Sequence, residues 1–186
     1  MRIIGGTHRG TALAAVGKGD AAAHLRPTTD RVRESLFNVL LGGRFGDPIR
    51  GARVLDLFAG TGALGLEALS RGAAHVTFAD QGRVAQKLIR SNIAKLRRAD
   101  DCTLIGGDAT RLPAADQPCD LVFLDPPYGK GLGAKAIASA LKGGWIADDA
   151  LIVWEESQPQ IAPQGFTLHD QRRYGDSWIT FLSHDA

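Results

Sequence analysis

A chain of 186 residues with 44% hydrophobic and 23% charged residues can build one domain with a real core, and is too short for two full ones. No apolar run approaches the roughly 20 residues of a membrane-spanning helix, and Met1-Arg2-Ile3-Ile4-Gly5-Gly6 lacks the apolar core of a secretory signal. The net charge of +2 is uneven: residues 1–50 hold eight Lys/Arg against four Asp/Glu, and residues 51–186 hold fourteen against sixteen. A basic leading segment on a near-neutral body suits an anionic partner such as nucleic acid, and it also suits a solvated surface with a mild bias. Cys102 and Cys119 sit in apolar, strand-like runs and read as small buried hydrophobes in a reducing cytoplasm. The five histidines show no metal-ligand spacing, so no metal site is expected.

In chain order, Arg2–Ile4 and Thr11–Ala14 are separated by glycine-rich residues and predict a small hairpin. Val16–Leu25, rich in Gly and Ala, predicts a mobile loop. Thr29 or Asp30 is a helix N-cap candidate. The helix that follows is expected to bury Val32, Leu36, Val39 and Leu40, at i, i+4, i+7 and i+8.

From Arg53 onward apolar runs alternate with helical patterns. Strands are expected at Arg53–Phe58, His75–Asp80, Thr103–Ile105, Asp120–Leu124 and Ala150–Trp154, with helices at Ala63–Arg71, Arg83–Arg97 and Gly133–Leu141. Such alternation indicates a parallel sheet with helices on both faces, whose ligands bind beyond the strand C-termini. Gly60, Asp80, Asp108 and Asp125 all fall at or just past such ends. Gly165–Asp170 and Ser177–Leu182 flank a turn and predict an antiparallel hairpin closing the sheet.

Two loops carry chemistry. Gly60, Gly62 and Gly65 match G-x-G-x-x-G, which alone is weak; glycine there lets the backbone turn sharply and approach a ligand. Asp56 beside that loop would repel a pyrophosphate and favour a cationic ligand. It could also be a structural carboxylate capping nearby amides. Asp80 can accept from ribose hydroxyls, and Asp108 is placed either to accept from an adenine amine or as a plain turn residue. S-adenosylmethionine fits this set: adenine, ribose, no phosphate, a cationic amine and a sulfonium. A nicotinamide dehydrogenase fits the glycines but not Asp56.

The second loop is Asp125-Pro126-Pro127-Tyr128, after the apolar run Leu121–Leu124. Two prolines remove two backbone donors and push the preceding residues into extended conformations. A stiff turn results, with a carboxylate and exposed carbonyls that can accept both hydrogens of a planar amine. The Tyr128 ring can stack on the heterocycle carrying that amine. The same residues could also form a tight turn with Tyr128 as packing.

Taken together, Arg2–Gly6, Arg26–Asn38, Leu55–Ala73, Asp125–Tyr128 and Tyr174-Gly175-Asp176 resemble the bacterial RsmD-type 16S ribosomal RNA guanine-N2 methyltransferases along essentially the whole chain. The resemblance implies an α/β fold of the Rossmann-like, class I methyltransferase type. Its sheet is seven-stranded and mainly parallel, with an antiparallel C-terminal hairpin and a small N-terminal hairpin and helix. A single domain is expected, with residues 1–50 covering cofactor and RNA and 51–186 forming the catalytic core. It implies S-adenosylmethionine as donor and 16S rRNA, in an assembled or assembling small subunit, as partner of a cytoplasmic monomer. Asp56, Gly60 and Gly62 would lie at the methionine end of the cofactor, Asp80 at the ribose and Asp108 at the adenine. Phe58, Thr61, Gln81, Ala109 and Thr29 complete the cofactor set. Asp125, Pro126, Pro127 and Tyr128 would hold the target base, and Arg2, Arg9, Arg26, Arg31 and Arg33 the RNA. Family members usually carry Glu at position 80, and Asp is one methylene shorter. A DNA adenine-N6 methyltransferase is the alternative, since the proline turn suits any exocyclic amine; the chain has no room for a domain that reads a DNA sequence.

Overall fold

Seven strands form one sheet in the order β3-β2-β1-β4-β5-β7-β6 in this computed structural model, which describes residues 1–16 and 28–186. The elements run α1 (Asp30–Leu40), β1 (Arg53–Leu57), α2 (Ala63–Ser70), β2 (His75–Ala79), α3 (Arg83–Leu96), β3 (Cys102–Ile105), β4 (Cys119–Leu124), α4 (Leu132–Lys142), β5 (Ile146–Glu156), β6 (Phe166–Tyr174) and β7 (Ser177–His184). Strands β1 to β5 pair parallel, and β7 pairs antiparallel with both β5 and β6. The alternating pattern therefore forms the expected sheet, and the closing hairpin is present. Expected loop Val16–Leu25 lies, apart from Val16, outside the described residues.

Alternate side chains of the central strands serve two cores. Val54, Val76, Leu121, Phe123 and Val153 meet α1, α2 and α3 on one face, while Leu55, Leu57, Val122, Leu124 and Ile152 meet α4 on the other. Each fully buried Leu or Phe contributes roughly 1.5–3 kcal/mol.

The N-terminal hairpin is a single antiparallel bridge, Arg2 to Ala12, with Ile3 N–H donating to Thr11 O at 3.0 Å and Leu13 N–H to Met1 O at 2.9 Å. Thr29 caps α1, its hydroxyl accepting from Val32 N–H at 3.2 Å.

Three expectations need correction. The buried face of α1 is Arg33, Leu36, Phe37 and Leu40; Val32 and Val39 are half-buried at its margin. A charged Arg33 on the inward stripe turned the helix by one residue relative to the apolar pattern. Strand β5 extends from Ile146 to Glu156, well beyond Ala150–Trp154. Asp148 and Asp149 disguise its start, where the pairing with β4 shifts register and Asp149 adopts φ +61°. Its last residues, Glu155 and Glu156, pair with Ile179 and Trp178 of β7. Finally, Gly65 is required by packing within the fold. A Cβ there would lie 2.5 Å from Phe78 Cε1 and 2.7 Å from Val76 Cγ1, so glycine lets α2 sit directly on β2.

Candidate active site

The sheet register gathers the chemistry on one edge. Leu57 pairs with Ala79 and Leu124, Ala79 with Ile105, and Leu124 with Trp154, so the five parallel strands reach the same row. The residues that follow, among them Phe58, Asp80, Asp125 and Glu155, emerge side by side. Strands β1 and β4 are neighbours although the chain leaves them in opposite directions across the sheet, and the crevice at such a switch point is where ligands bind in open α/β sheets.

Phe58 turns the chain out of β1 at φ +55°, a costly conformation for a bulky residue, and Gly60 and Gly62 follow at +61° and +79°. Three hydrogen bonds fix the loop: Ala59 N–H to Ala79 O at 3.1 Å, Gly62 N–H to Ala59 O at 2.8 Å, and Gly60 N–H to Asp80 Oδ2 at 3.0 Å. Asp80 Oδ1 also accepts from Gly82 N–H at 2.8 Å. Asp80 thus shapes the glycine loop, and each carboxylate oxygen keeps one further acceptor site for a hydroxyl.

Asp56 is buried under the loop, and its Oδ2 accepts from Gly65 N–H at 3.0 Å. The capping reading is therefore part of its role. Among the described residues no Lys or Arg forms an ion pair with it. Burial pushes its carboxyl up to about 8, against the Gly65 hydrogen bond and with help from the charge of Asp80.

Asp108 closes a turn in which its Oδ1 accepts from both N–H and hydroxyl of Thr110 at 2.8 Å, which holds its carboxyl below the usual range. Its neighbour Ala109 is buried in the α4-side core, so only its backbone can face a ligand. Thr61 is buried as well; its hydroxyl donates to Met1 Sδ at 3.6 Å and its carbonyl accepts from Asn92 Nδ2 at 2.9 Å. Gln81 and Thr29 are exposed.

The proline turn leaves β4 with Pro126 buried and Pro127 exposed. Asp125 N–H donates to Leu57 O at 3.4 Å, which ties the turn to β1. Burial, then the charges of Glu155, Asp56 and Glu156, push the Asp125 carboxyl well above the usual carboxylate range. Tyr128 is half-buried, and its hydroxyl is engaged by Glu155 and Ser177.

Of the five arginines expected at RNA, Arg2, Arg9 and Arg31 are exposed and Arg26 lies outside the described residues. Arg33 is a correction. It is 0% exposed, with Nε donating to Glu67 Oε1 at 3.2 Å, Nη2 to Asp30 Oδ1 at 3.0 Å and to the carbonyl of Arg2, and Nη1 to Thr28 O at 3.5 Å. It cannot touch RNA, because its charge is spent joining α1 to the body.

Sequence reasoning missed several residues. Glu67, fully buried on α2, accepts from Ile4 N–H and Gly5 N–H at 2.9 Å and from Arg71 Nε at 2.9 Å besides Arg33. Asn92, fully buried on α3, exchanges hydrogen bonds with both backbone groups of Ala14 and so docks the N-terminal segment beside the glycine loop. A lone acid within the apolar run Ala63–Leu69 was the signal for Glu67. Nothing local distinguishes Asn92 from a surface residue.

Residues 1–183 match the family model described as Conserved hypothetical protein 95. The chain is 39% identical over 189 residues to ribosomal RNA small subunit methyltransferase D of Escherichia coli K12, covering 100% of this chain and 91% of that protein. It is 35% identical over 181 residues to the protein of the same name from Haemophilus influenzae, covering 94% and 89%. The solved structure of Escherichia coli yhhF, which bears a provisional methyltransferase name, superposes with a TM-score of 0.82 at 37% identity over 100% of this chain and 98% of that one.

Proposed function

This chain belongs to the Conserved hypothetical protein 95 family, the family of the ribosomal RNA small subunit methyltransferases D, and we propose that it methylates the exocyclic N2 amine of a guanine in small-subunit rRNA. The donor in this reading is S-adenosylmethionine. The observation that carries it is the meeting, at the β1/β4 switch point, of an uncompensated buried acid and a carboxylate-proline turn. The first suits a cationic cofactor and the second an amine.

Asp56 and the glycine loop would hold the cofactor's cationic end, Asp80 its ribose and Asp108 its adenine. When bound, the cofactor supplies a methyl group on a positively charged sulfur, already a strong electrophile. The nucleophile is the harder problem, because the N2 lone pair of guanine is delocalised into the ring. Asp125 and the Pro126 carbonyl accept from the amine, favour a pyramidal nitrogen and aim its lone pair. Tyr128 stacks on the base once it has left its neighbours. Positioning and fixed polar groups supply most of the acceleration. Asp125, with its raised carboxyl, is a fitting store for the proton the amine must lose. Arg2, Arg9 and Arg31 line the N-terminal extension as phosphate contacts, within an assembled or assembling subunit in the cytoplasm. The DNA adenine alternative draws no support from the relatives.

The test is transfer of labelled methyl to small subunits from a strain lacking this activity, with free rRNA and unmethylated DNA alongside, followed by digestion to nucleosides. Label in N2-methylguanosine is expected. Label confined to DNA adenine would overturn the reading in favour of the alternative.

Cofactor binding should also be linked to protons. A cation beside Asp56 returns its carboxyl, held at about 8 in the free protein, to the charged form and releases a proton. Affinity for S-adenosylmethionine should therefore rise between about pH 6 and pH 8, by up to about tenfold per unit. The slope should flatten in Asp56→Asn. Calorimetry in buffers of different ionisation enthalpy measures the proton directly; equal slopes in both proteins would remove Asp56 from the cationic site.

A further inference from the structure

Tyr128 is not held by the proline turn alone. Its hydroxyl donates to Glu155 Oε1 at 2.9 Å and lies 2.8 Å from Ser177 Oγ. A phenol has one proton to donate, so with that proton on Glu155 the Ser177 hydroxyl is the donor in the second bond. Glu155 Oε2 in turn accepts from the Thr28 hydroxyl at 3.2 Å. Three segments distant in sequence are therefore linked, two directly on the phenolic oxygen and the third through Glu155. These are the residue before the α1 cap, the C-terminal end of β5, and Ser177, where β7 begins opposite Tyr174.

The sheet dictates this meeting. Glu155 pairs with Ile179, two residues after Ser177, so Glu155 and Ser177 project from the same face of neighbouring strands. That is the face on which α1 packs, and Thr28 stands at its start.

We propose that Glu155 and Ser177 are positioning residues for the acceptor base: they lock the ring of Tyr128 at the angle at which the base stacks, and Thr28 ties the start of α1 into the same latch. This rests on the guanine-methylating reading above. It deepens that reading by dividing the labour of Tyr128. The hydroxyl is consumed internally, so the tyrosine meets the base through its ring face alone. A ring face accepts any planar base. Hydrogen-bonded selection of the amine then falls to Asp125 and the Pro126 carbonyl. Glu155 also acts at a distance, since its charge is the second contributor, after burial, to the raised Asp125 carboxyl.

The test uses the full chain and the variants Tyr128→Phe, Ser177→Ala, the corresponding double variant, and Glu155→Gln. Tyr128 and Tyr174 are the only tyrosines, so Cζ-labelled tyrosine gives two carbon resonances. Ser177→Ala should move the Tyr128 resonance, and by more than that of Tyr174, which pairs with Ser177 only through the backbone register. On small subunits, Tyr128→Phe and Ser177→Ala should each lower kcat/KM for the acceptor about two- to tenfold, the scale of one hydrogen bond. The affinity for S-adenosylmethionine should not change. The double variant should be no worse than Tyr128→Phe, because both remove the same contact. Glu155→Gln, which keeps an acceptor oxygen, should retain most acceptor turnover and shift the acidic limb of its pH profile downward.

An unmoved Tyr128 resonance overturns the latch whatever the activity. So do full acceptor kcat/KM in Tyr128→Phe, and losses that simply add in the double variant. A moved resonance in a wild-type protein inactive on every RNA overturns the guanine reading and, with it, the acceptor role of the latch.

Discussion

Replacing Asp125 by alanine is expected to lower the rate of methyl transfer roughly 100-fold or more, the scale on which removing one preorganised hydrogen-bonding group slows an enzyme. The residue sits immediately after the row in which β1 and β4 end beside Trp154 of β5, tied to Leu57 by its own backbone. The residue is half-buried, and desolvation together with the charges of Glu155, Asp56 and Glu156 opposes its ionisation. A chain shaped only for stability would not gather four acids from three neighbouring strands at one edge of the sheet. Removing one of them relieves repulsion, so Asp125→Ala should fold at least as well as the parent and bind S-adenosylmethionine about equally. Single-turnover rates at saturating cofactor, beside the unfolding midpoint, separate chemistry from folding. Near-normal turnover would sink the role assigned to Asp125.

Glu67→Ala is expected to cost about 3–5 kcal/mol of stability, the usual penalty for stripping one partner from a buried ion pair. At roughly 2–4 °C per kcal/mol for a chain of this size, the unfolding midpoint should fall by about 6–20 °C. Glu67 and Arg33 both have side chains 0% exposed, 3.2 Å apart. The same carboxylate receives two N–H groups of the N-terminal hairpin and the Arg71 guanidinium. Its loss leaves the Arg33 charge inside with Asp30, whose side chain is 42% exposed, and two carbonyls. Glu67→Gln keeps acceptor oxygen but removes charge, and should fall between the two. A midpoint within about 2 °C of the parent would show that the clamp is mere contact and that packing alone docks the extension. Because Glu67 stands beneath the hairpin and α1 together, the variant should also lose cofactor retention before it loses its fold.

The site was legible where its chemistry is local. The glycine loop, the proline turn and the Thr29 cap depend on backbone angles and on partners within a few residues, and each appears where the residue types require it. Both carboxylates, Asp56 and Asp108, cap amides of their own loops, the structural role the residue types also allowed. What was not legible is which charges go inside. Arg33 read as an RNA contact because a guanidinium on a helix is ordinarily solvated, and its acid lies 34 residues away. Glu155 was invisible as a site residue because β5 read as ending at Trp154, and its value depends on Tyr128, 27 residues earlier, and on Ser177.

By itself, then, the amino-acid sequence determined the alternating sheet, the loops that meet at its switch point and the acids they carry, since apolar periodicity and turn stereochemistry act between near neighbours along the chain. Only the tertiary structure decided that Arg33 is a buried clamp, that Glu67 and Asn92 dock the N-terminal segment, and that Glu155 and Ser177 hold Tyr128. A charge or hydroxyl can be buried only beside a partner, and the partners here come from segments that strand register alone brings together.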